Sequence, residues 1–304
     1  MTSSVIICTR NRPHDVVRML TSLANQTTPP TQIIIIDSST TALDLVVEFR
    51  QQFAHNNFPD SQLVYQHTEP GLTYQRNRGI KLATSSITYF FDDDVVLSPT
   101  YLYEMQKIFE QYPHYMGGMG NVHNIGHYKP WINLLRACFF LQRNYAAGKF
   151  TLSGAPTHAY GNKYFQTVEV LGGCCMAFKT SILQQQQFDE NLRFYSYMED
   201  VDISYRISQN ALLFYNPTAV LKHLESPINR DKLIDNKAMF IANYTYLFFK
   251  NVYPHNRLKL IAYCWSIVGL FLEAGLIVRN KTWLKGYWRG LRHAIKSKAR
   301  PYTL

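Results

Sequence analysis

Three consecutive carboxylates, Asp92-Asp93-Asp94, follow directly on the apolar run Ile87 to Phe91. Carboxylates crowded at one strand end repel one another and raise each other's proton affinity unless a cation sits among them. A hard divalent ion, Mg²⁺ or Mn²⁺, relieves that repulsion through oxygen ligands and keeps positions for water and for a substrate's phosphates. Asp92 and Asp94 are the candidate ligands. An acidic, solvated turn is the alternative, and the buried strand leading into the triplet weighs against it. His223, in Val220-Leu221-Lys222-His223, offers an imidazole nitrogen to the same ion, although a histidine near a strand end is more often packed or solvated.

Other residues have types and positions suited to a nucleotide and to proton transfer. Asp37 closes the run Ile33 to Ile36 and is placed to accept hydrogen bonds from a base or ribose, or to cap a helix. Arg76, in Gly71-Leu72-Thr73-Tyr74-Gln75-Arg76-Asn77-Arg78-Gly79, carries a planar fork suited to a diphosphate or a base; a surface arginine is the plain alternative. Asn77 either meets a ribose or bridges neighbouring loops. Glu199-Asp200 opens a predicted helix, whose positive end favours ionised carboxylates, so one of the two is a candidate general base. Asp202 and Arg206 stand four apart on that helix and read as an ordinary ion pair.

The elements that must position these groups are legible as short apolar runs alternating with amphipathic stretches, the pattern of strand–helix units on a mostly parallel, buried sheet. Strands are expected at Val5 to Cys8, Ile33 to Ile36, Leu63 to Tyr65 and Ile87 to Phe91. Pro13 is set for a helix's first turn, followed by Val16, Val17, Leu20 and Leu23 at helical spacing. A further apolar pattern runs through Leu43, Val46, Val47 and Phe49, and Thr73 opens a helix toward Leu82. Ser98-Pro99 predicts a capped helix immediately after the acidic triplet. The carboxylates thus fall at the carboxyl edge of the sheet, where ligands of open α/β folds bind, and Asp37 ends its own strand on the same edge. A helix and an irregular loop are expected between Trp131 and Gly161, and strands at Cys174 to Phe178, Leu212 to Tyr215 and Ala219 to Leu221.

The bulk composition fits a folded chain with an anionic partner. Hydrophobic residues make up 46% and charged residues 17% of the 304 positions, the reverse of a disordered balance. A net charge of +10 suits a nucleotide diphosphate, an acidic lipid surface or nucleic acid. Cys8, Cys138, Cys174, Cys175 and Cys264 show no CxxC spacing, so neither a zinc site nor a disulfide framework is expected. No basic segment and apolar core precede a cleavage site at the start, and a secreted protein is not expected. A catalytic unit over 1–230 and a helical, basic unit over 231–304 are expected. In the latter, Leu258 to Val278 contains Glu273 and is bracketed by Arg257, Lys259 and Arg279, which favours an interfacial or re-entrant helix over a span. The cations beyond it, with Trp283, Tyr287 and Trp288, suit anionic headgroups and an aromatic interface belt.

In this order the motifs resemble glycosyltransferase family 2, inverting enzymes of GT-A fold. The likeness rests on Val5-Ile6-Ile7-Cys8-Thr9-Arg10-Asn11-Arg12, Ile36-Asp37-Ser38-Ser39, Arg76-Asn77-Arg78-Gly79, the Asp-x-Asp of Asp92 and Asp94, and Glu199-Asp200-Val201-Asp202. The resemblance implies a nucleotide-diphosphate sugar held by Thr9, Arg10, Asn11, Asp37, Arg76, Asp92, Asp93, Gly172 and Gly173, with Asp37 reading the base. It implies Mg²⁺ or Mn²⁺ on Asp92, Asp94 and His223, with Asp94 the direct ligand. Asp200 is similar to the catalytic base and Glu199 to an acceptor-positioning partner. Gly172-Gly173-Cys174-Cys175 resembles the strand lining the sugar pocket. Two features depart from the family pattern: Ser38 stands where relatives carry a second aspartate, and the stretch between Met116 and Val168 does not align.

The expected activity is metal-dependent transfer of a hexosyl or deoxyhexosyl group to a hydroxyl acceptor, in cell-surface polysaccharide or glycolipid synthesis. It is expected in the cytoplasm, peripheral on the inner face of the cell membrane, with a lipid-linked saccharide as candidate acceptor and no nucleic acid partner. A P-loop NTPase is excluded by the absence of GxxxxGK[ST]. Nucleotidyl transfer wants a glycine-rich loop where Thr9-Arg10-Asn11-Arg12-Pro13 stands. A non-catalytic membrane or nucleic-acid binder would leave the carboxylates without purpose.

Overall fold

The computed structural model describes residues 1–45, 61–126, 129–142, 147–193, 195–225 and 233–302. The apolar positions Val46, Val47 and Phe49, and the expected division at 230 and 231, lie outside them. β1 (Ser3–Thr9), α1 (Pro13–Ala24), β2 (Gln32–Asp37), β3 (Gln62–His67), α2 (Leu72–Leu82) and β4 (Ile87–Asp92) follow the predicted alternation. Ile33, Ile34, Ile35 and Ile36 are all fully buried, as a strand covered on both faces requires.

These strands pair in parallel in the order β3-β2-β1-β4. The chain winds outward from β1 and returns beside it at β4, so the order reverses between them, which is where such sheets open a crevice. Register aligns the rim: Thr9 lies opposite Asp37, and Cys8 opposite Asp92. Beyond β4 the sheet becomes mixed through β5 (Val95–Leu97), β6 (Tyr115–Val122), β7 (Gln166–Val168), β8 (Cys175–Lys179) and β9 (Leu212–His223). The whole is a GT-A-like α/β fold.

Three local expectations are corrected. The turn after β4 leads into β5, and α3 starts only at Tyr101 (Tyr101–Gln111) with Thr100 in the cap position. Val95 to Leu97 are extended because they pair with β9, so a strand separates the acidic triplet from the helix that follows Ser98-Pro99. The strands expected at Leu212 and Ala219 are one strand, whose register against β6 shifts between Met119 and Asn121. β6 itself was not foreseen, because Gly117, Gly118 and Gly120 carry no strand signal. A β-carbon on Gly120 would run into the Ala219 carbonyl and the Tyr101 ring, so close approach demands glycine there.

The remaining helices are α4 (Pro130–Cys138), α5 (Thr180–Gln185), α6 (Glu199–Ser208), α7 (Leu233–Leu247), α8 (Lys259–Leu272) and α9 (Lys281–Lys296), with π-helical turns at Phe248–Val252 and Glu273–Ile277. α7, α8 and α9 do not stand apart from the sheet domain. Ile241, Tyr244, Phe248, Tyr263 and Ile267 share one apolar core with Phe150, Val170, Leu192 and Val201. Buried Asp202 of α6 accepts from Arg206 at 3.0 Å, the expected ion pair, and also from Lys250 and Asn251 at 2.9 Å. Of the expected aromatic belt on α9, Trp288 is exposed, whereas Tyr287 is buried and Trp283 lies beneath Lys237, whose Nζ sits 3.5 Å from the ring centre.

Candidate functional site

A cleft of about 890 Å³ opens at the carboxyl rim over β1 and β4. Thr9, Arg10, Arg76, Asp92, Asp93, Asp94, Gly173, Glu199, Asp200 and His223 all line it. Asn11, Asp37 and Gly172 do not line it.

The acidic triplet divides its work because the turn between β4 and β5 points successive side chains in different directions. Asp92 is part-exposed in the cleft, while Asp94 is buried with its Oδ1 3.0 Å from His223 Nε2. β9 delivers that histidine by pairing His223 with Val95. Carboxylate and imidazole atoms of Asp92, Asp94 and His223 all lie within 4.8 Å of one another. Two oxygen donors and one nitrogen donor suit a divalent cation of the Mg²⁺ or Mn²⁺ kind. Burial works against the His223 proton, but the hydrogen bond to Asp94 together with the charges of Cys174, Asp92 and Asp94 outweighs it and lifts the imidazole to about 9. Asp93 turns the other way, accepting from the Thr9 hydroxyl at 2.6 Å and from Arg12 Nη1 at 2.9 Å. Burial raises its carboxyl to about 7, with Arg12 pulling down.

The second carboxylate pair sits across the cleft at the start of α6, entered through Met198 in the left-handed region at φ 75°. Glu199 Oε1 accepts from Arg76 Nη1 at 2.6 Å, and Arg76 Nη2 also reaches the Gly173 carbonyl at 3.0 Å and Asp92 at 3.4 Å. The surface-arginine alternative is therefore excluded: Arg76 is buried, with its guanidinium 5.3 Å from the Phe188 ring centre. Burial drives Glu199 up to about 8, against Arg76 and reinforced by Asp200, so the helix N-terminus does not keep Glu199 strongly ionised as the sequence suggested. Asp200 accepts from the backbone N–H of Gly173 and of Val201, each at 2.8 Å. A β-carbon on Gly173 would stand 3.1 Å from Glu199 Oε1 and 3.3 Å from Asp200 Oδ2, and one on Gly172 would overlap the Tyr160 hydroxyl.

Asp37 lies behind the cleft wall, next to Ser38. It is fully buried, and its oxygens accept from Ser39 N and Oγ, from Leu43 N and from the Tyr65 hydroxyl. Its visible work is to fold the loop after β2, leaving neighbouring Ser38 on the cleft wall. Asn11, at φ 57°, is tied to that loop through Ser39 and Thr40. Asn77 bridges loops by bonding Phe188 and Glu190.

Sequence reasoning missed His158, whose Nε2 lies 4.0 Å from Asp200 Oδ2 and whose ring stacks on Tyr160 at 5.2 Å. Burial lowers its proton affinity, with Asp200 opposing. It lies in the stretch without periodicity and has no pattern to reveal it. Arg12, by contrast, had a signal in Thr9-Arg10-Asn11-Arg12 beside an acidic strand end.

Comparison with known proteins agrees with this architecture. Part of the chain is 38% identical over 101 residues to YibD of Escherichia coli (strain K12), an uncharacterized glycosyltransferase; the match spans 33% of this chain and 28% of YibD. The mannosyltransferase PcManGT from Pyrobaculum calidifontis, solved in complex with GDP-Man and Mn²⁺, shares the fold at a TM-score of 0.58 and 15% identity, over 97% of this chain and 86% of its own. S. aureus TarS superimposes at a TM-score of 0.52 and 18% identity over 98% of this chain, which spans only 53% of TarS. The family model for glycosyl transferase family 2 matches residues 4–186, and the chain belongs to that family of glycosyltransferases.

Proposed function

We propose that the protein transfers a sugar from a nucleotide-diphosphate donor to a hydroxyl acceptor with inversion at the anomeric carbon. The observation that carries this reading is that the Asp92, Asp94 and His223 cluster and the Glu199-Asp200 pair line one cleft. Asp200 takes the acceptor's proton as that oxygen forms its bond to the anomeric carbon, and the bond from that carbon to the diphosphate oxygen breaks. Hydrogen bonds from Gly173 and Val201 orient Asp200, while Glu199, held by Arg76, positions the hydroxyl. Asp92, Asp94 and His223 would hold Mg²⁺ or Mn²⁺, which when bound neutralises charge on the leaving diphosphate. Thr9, Arg10 and Ser38 are the donor-side wall, and the nucleotide sugar and Mn²⁺ in the PcManGT complex support a donor of this class.

The proposal extends to a lipid-linked acceptor used at the cytoplasmic face of a cell membrane, in cell-surface polysaccharide or glycolipid synthesis, with 1–230 as the catalytic unit and 231–304 as its membrane-facing support. A thermal-shift panel of nucleotide sugars with and without Mn²⁺ tests the donor side, since a ligand of the folded state raises apparent stability. Proton NMR of the product tests the chemistry: retention of the donor's anomeric configuration would remove Asp200 as the base of a direct displacement.

A further inference from the structure

α8, with Leu258 at its cap and the π-helical turn after it, carries Leu258, Ile261, Trp265, Val268, Leu272 and Leu276 at steps of three or four residues, which places them along one side. All six are exposed, Leu258 by 78%, Ile261 by 74% and Leu276 by 68%. The opposite face is spoken for: Tyr263 and Ser266 are buried, with the Tyr263 hydroxyl 2.6 Å from Thr245 Oγ1 and Ser266 Oγ 2.9 Å from the Tyr244 hydroxyl. α4 extends the apolar face. Its exposed Trp131, Leu134 and Cys138 form a second stripe that meets α8 where the Trp265 indole N–H donates to the Cys138 carbonyl at 3.0 Å. Phe139 stacks on Trp265 at 4.9 Å.

Charge is arranged around this face and kept out of it. The single acid from 258 to 302 is Glu273, which is buried and paired with Arg136 of α4. Exposed Arg257 precedes the stripe and exposed Arg279 and Lys281 follow it, with Lys285 and Arg292 continuing along α9, where Arg289 is paired with Asp235. Two copies meeting through this face would set cationic ends against cationic ends in either orientation. An anionic lipid surface satisfies both features, taking the apolar stripe into the acyl boundary and the cations at its headgroups. A span is disfavoured, because α8 would have to leave polar partners it already has in the protein.

We infer that the joint face of α4 and α8 is a monolayer-insertion surface for anionic lipid, lying in the membrane plane. This rests on the membrane reading above and replaces the cationic tail with a defined apolar anchor. The test is flotation of the full chain with vesicles of phosphatidylcholine alone or with phosphatidylglycerol. The exposed positions allow the double variant Ile261→Glu with Leu276→Glu without a core cost, and its unchanged melting point and donor-induced shift would verify the fold. The expected result is binding of the parent to phosphatidylglycerol vesicles and at least a roughly ten-fold loss in the variant. Equal binding of the variant would overturn the face while leaving the membrane reading intact. No binding of the parent to any vesicle, with donor binding preserved, would overturn both without touching sugar transfer. A lipid-free dimer in sedimentation that the variant converts to monomer would make a second copy the occupant and overturn the inference.

Discussion

Arg76 Nη1 lies 2.6 Å from Glu199 Oε1, joining α2 to α6 across 123 residues of sequence. The same guanidinium reaches the Gly173 carbonyl and Asp92, so one cation joins both acidic pairs of the cleft. Because Glu199 is pushed up to about 8, removing Arg76 leaves the Glu199 oxygen and the Gly173 carbonyl without their buried donor rather than leaving a bare charge, a cost of about 1–3 kcal/mol. Arg76→Met is expected to lower unfolding free energy by that order in urea titration, with Arg76→Lys restoring part of it. A variant as stable as the parent would mean that solvent replaces the guanidinium at the Glu199 oxygen and the Gly173 carbonyl.

Asp200→Asn keeps an oxygen for only one of the Gly173 and Val201 N–H groups, which bond different carboxylate oxygens, and loses the ability to take a proton. Sugar transfer is expected to fall by about 10²–10⁴-fold, the usual worth of a positioned base. Donor affinity by calorimetry should stay within about two-fold of the parent, since no donor contact is assigned to Asp200. Parental turnover would remove Asp200 from the mechanism.

Asp93 and Asp94 are adjacent yet should fail differently. Asp94→Ala is expected to abolish the Mn²⁺-dependent part of donor binding, measured by thermal shift with and without the ion. Asp93→Ala strips Thr9 and Arg12 of a buried acceptor and should cost roughly 1–3 kcal/mol of stability while the Mn²⁺ dependence persists. Reversal of the two phenotypes would exchange their roles.

Strand ends were legible because fully buried isoleucine and phenylalanine runs can hardly be anything but central strands, and each stops on a carboxylate. Glu199-Asp200 was legible for a similar reason, as the opening of a clear helical period. What each carboxylate touches was not. Asp37 is claimed by Tyr65 of a neighbouring strand and by Leu43 in the following loop, a pairing that depends on three-dimensional register. The aromatic residues of α9 read as an interface belt in sequence, yet α9 crosses α7 so closely that a β-carbon on Gly290 would strike the Ala238 carbonyl. That contact turns Tyr287 inward.

Acid should loosen the contact between the sheet domain and the C-terminal helices. Asp189 is partly desolvated, which alone would raise its carboxyl, but Lys250 and Tyr246, each at 2.6 Å, bring it down from 3.8 to about 2. A carboxyl depressed in the folded state contributes stability above its unfolded value, and the contribution disappears as pH falls through the folded one. Parent and Asp189→Asn should therefore differ by on the order of 1–2 kcal/mol at pH 6 and converge toward pH 2. A difference that stays constant over that range would assign the effect to packing.

Asp202 has a practical consequence for anyone cutting the gene. It sits on the helix that begins with Glu199 and Asp200, and it depends on Lys250 and Asn251 for hydrogen bonds that solvent cannot replace in its buried position. A fragment ending near residue 230 would leave that carboxylate with Arg206 alone, on the helix that carries the groups on which turnover relies. Truncations, chimaeras and directed-evolution libraries should therefore carry the chain at least through Asn251, and an acceptor-swapping graft should move α6 and its helical brace together.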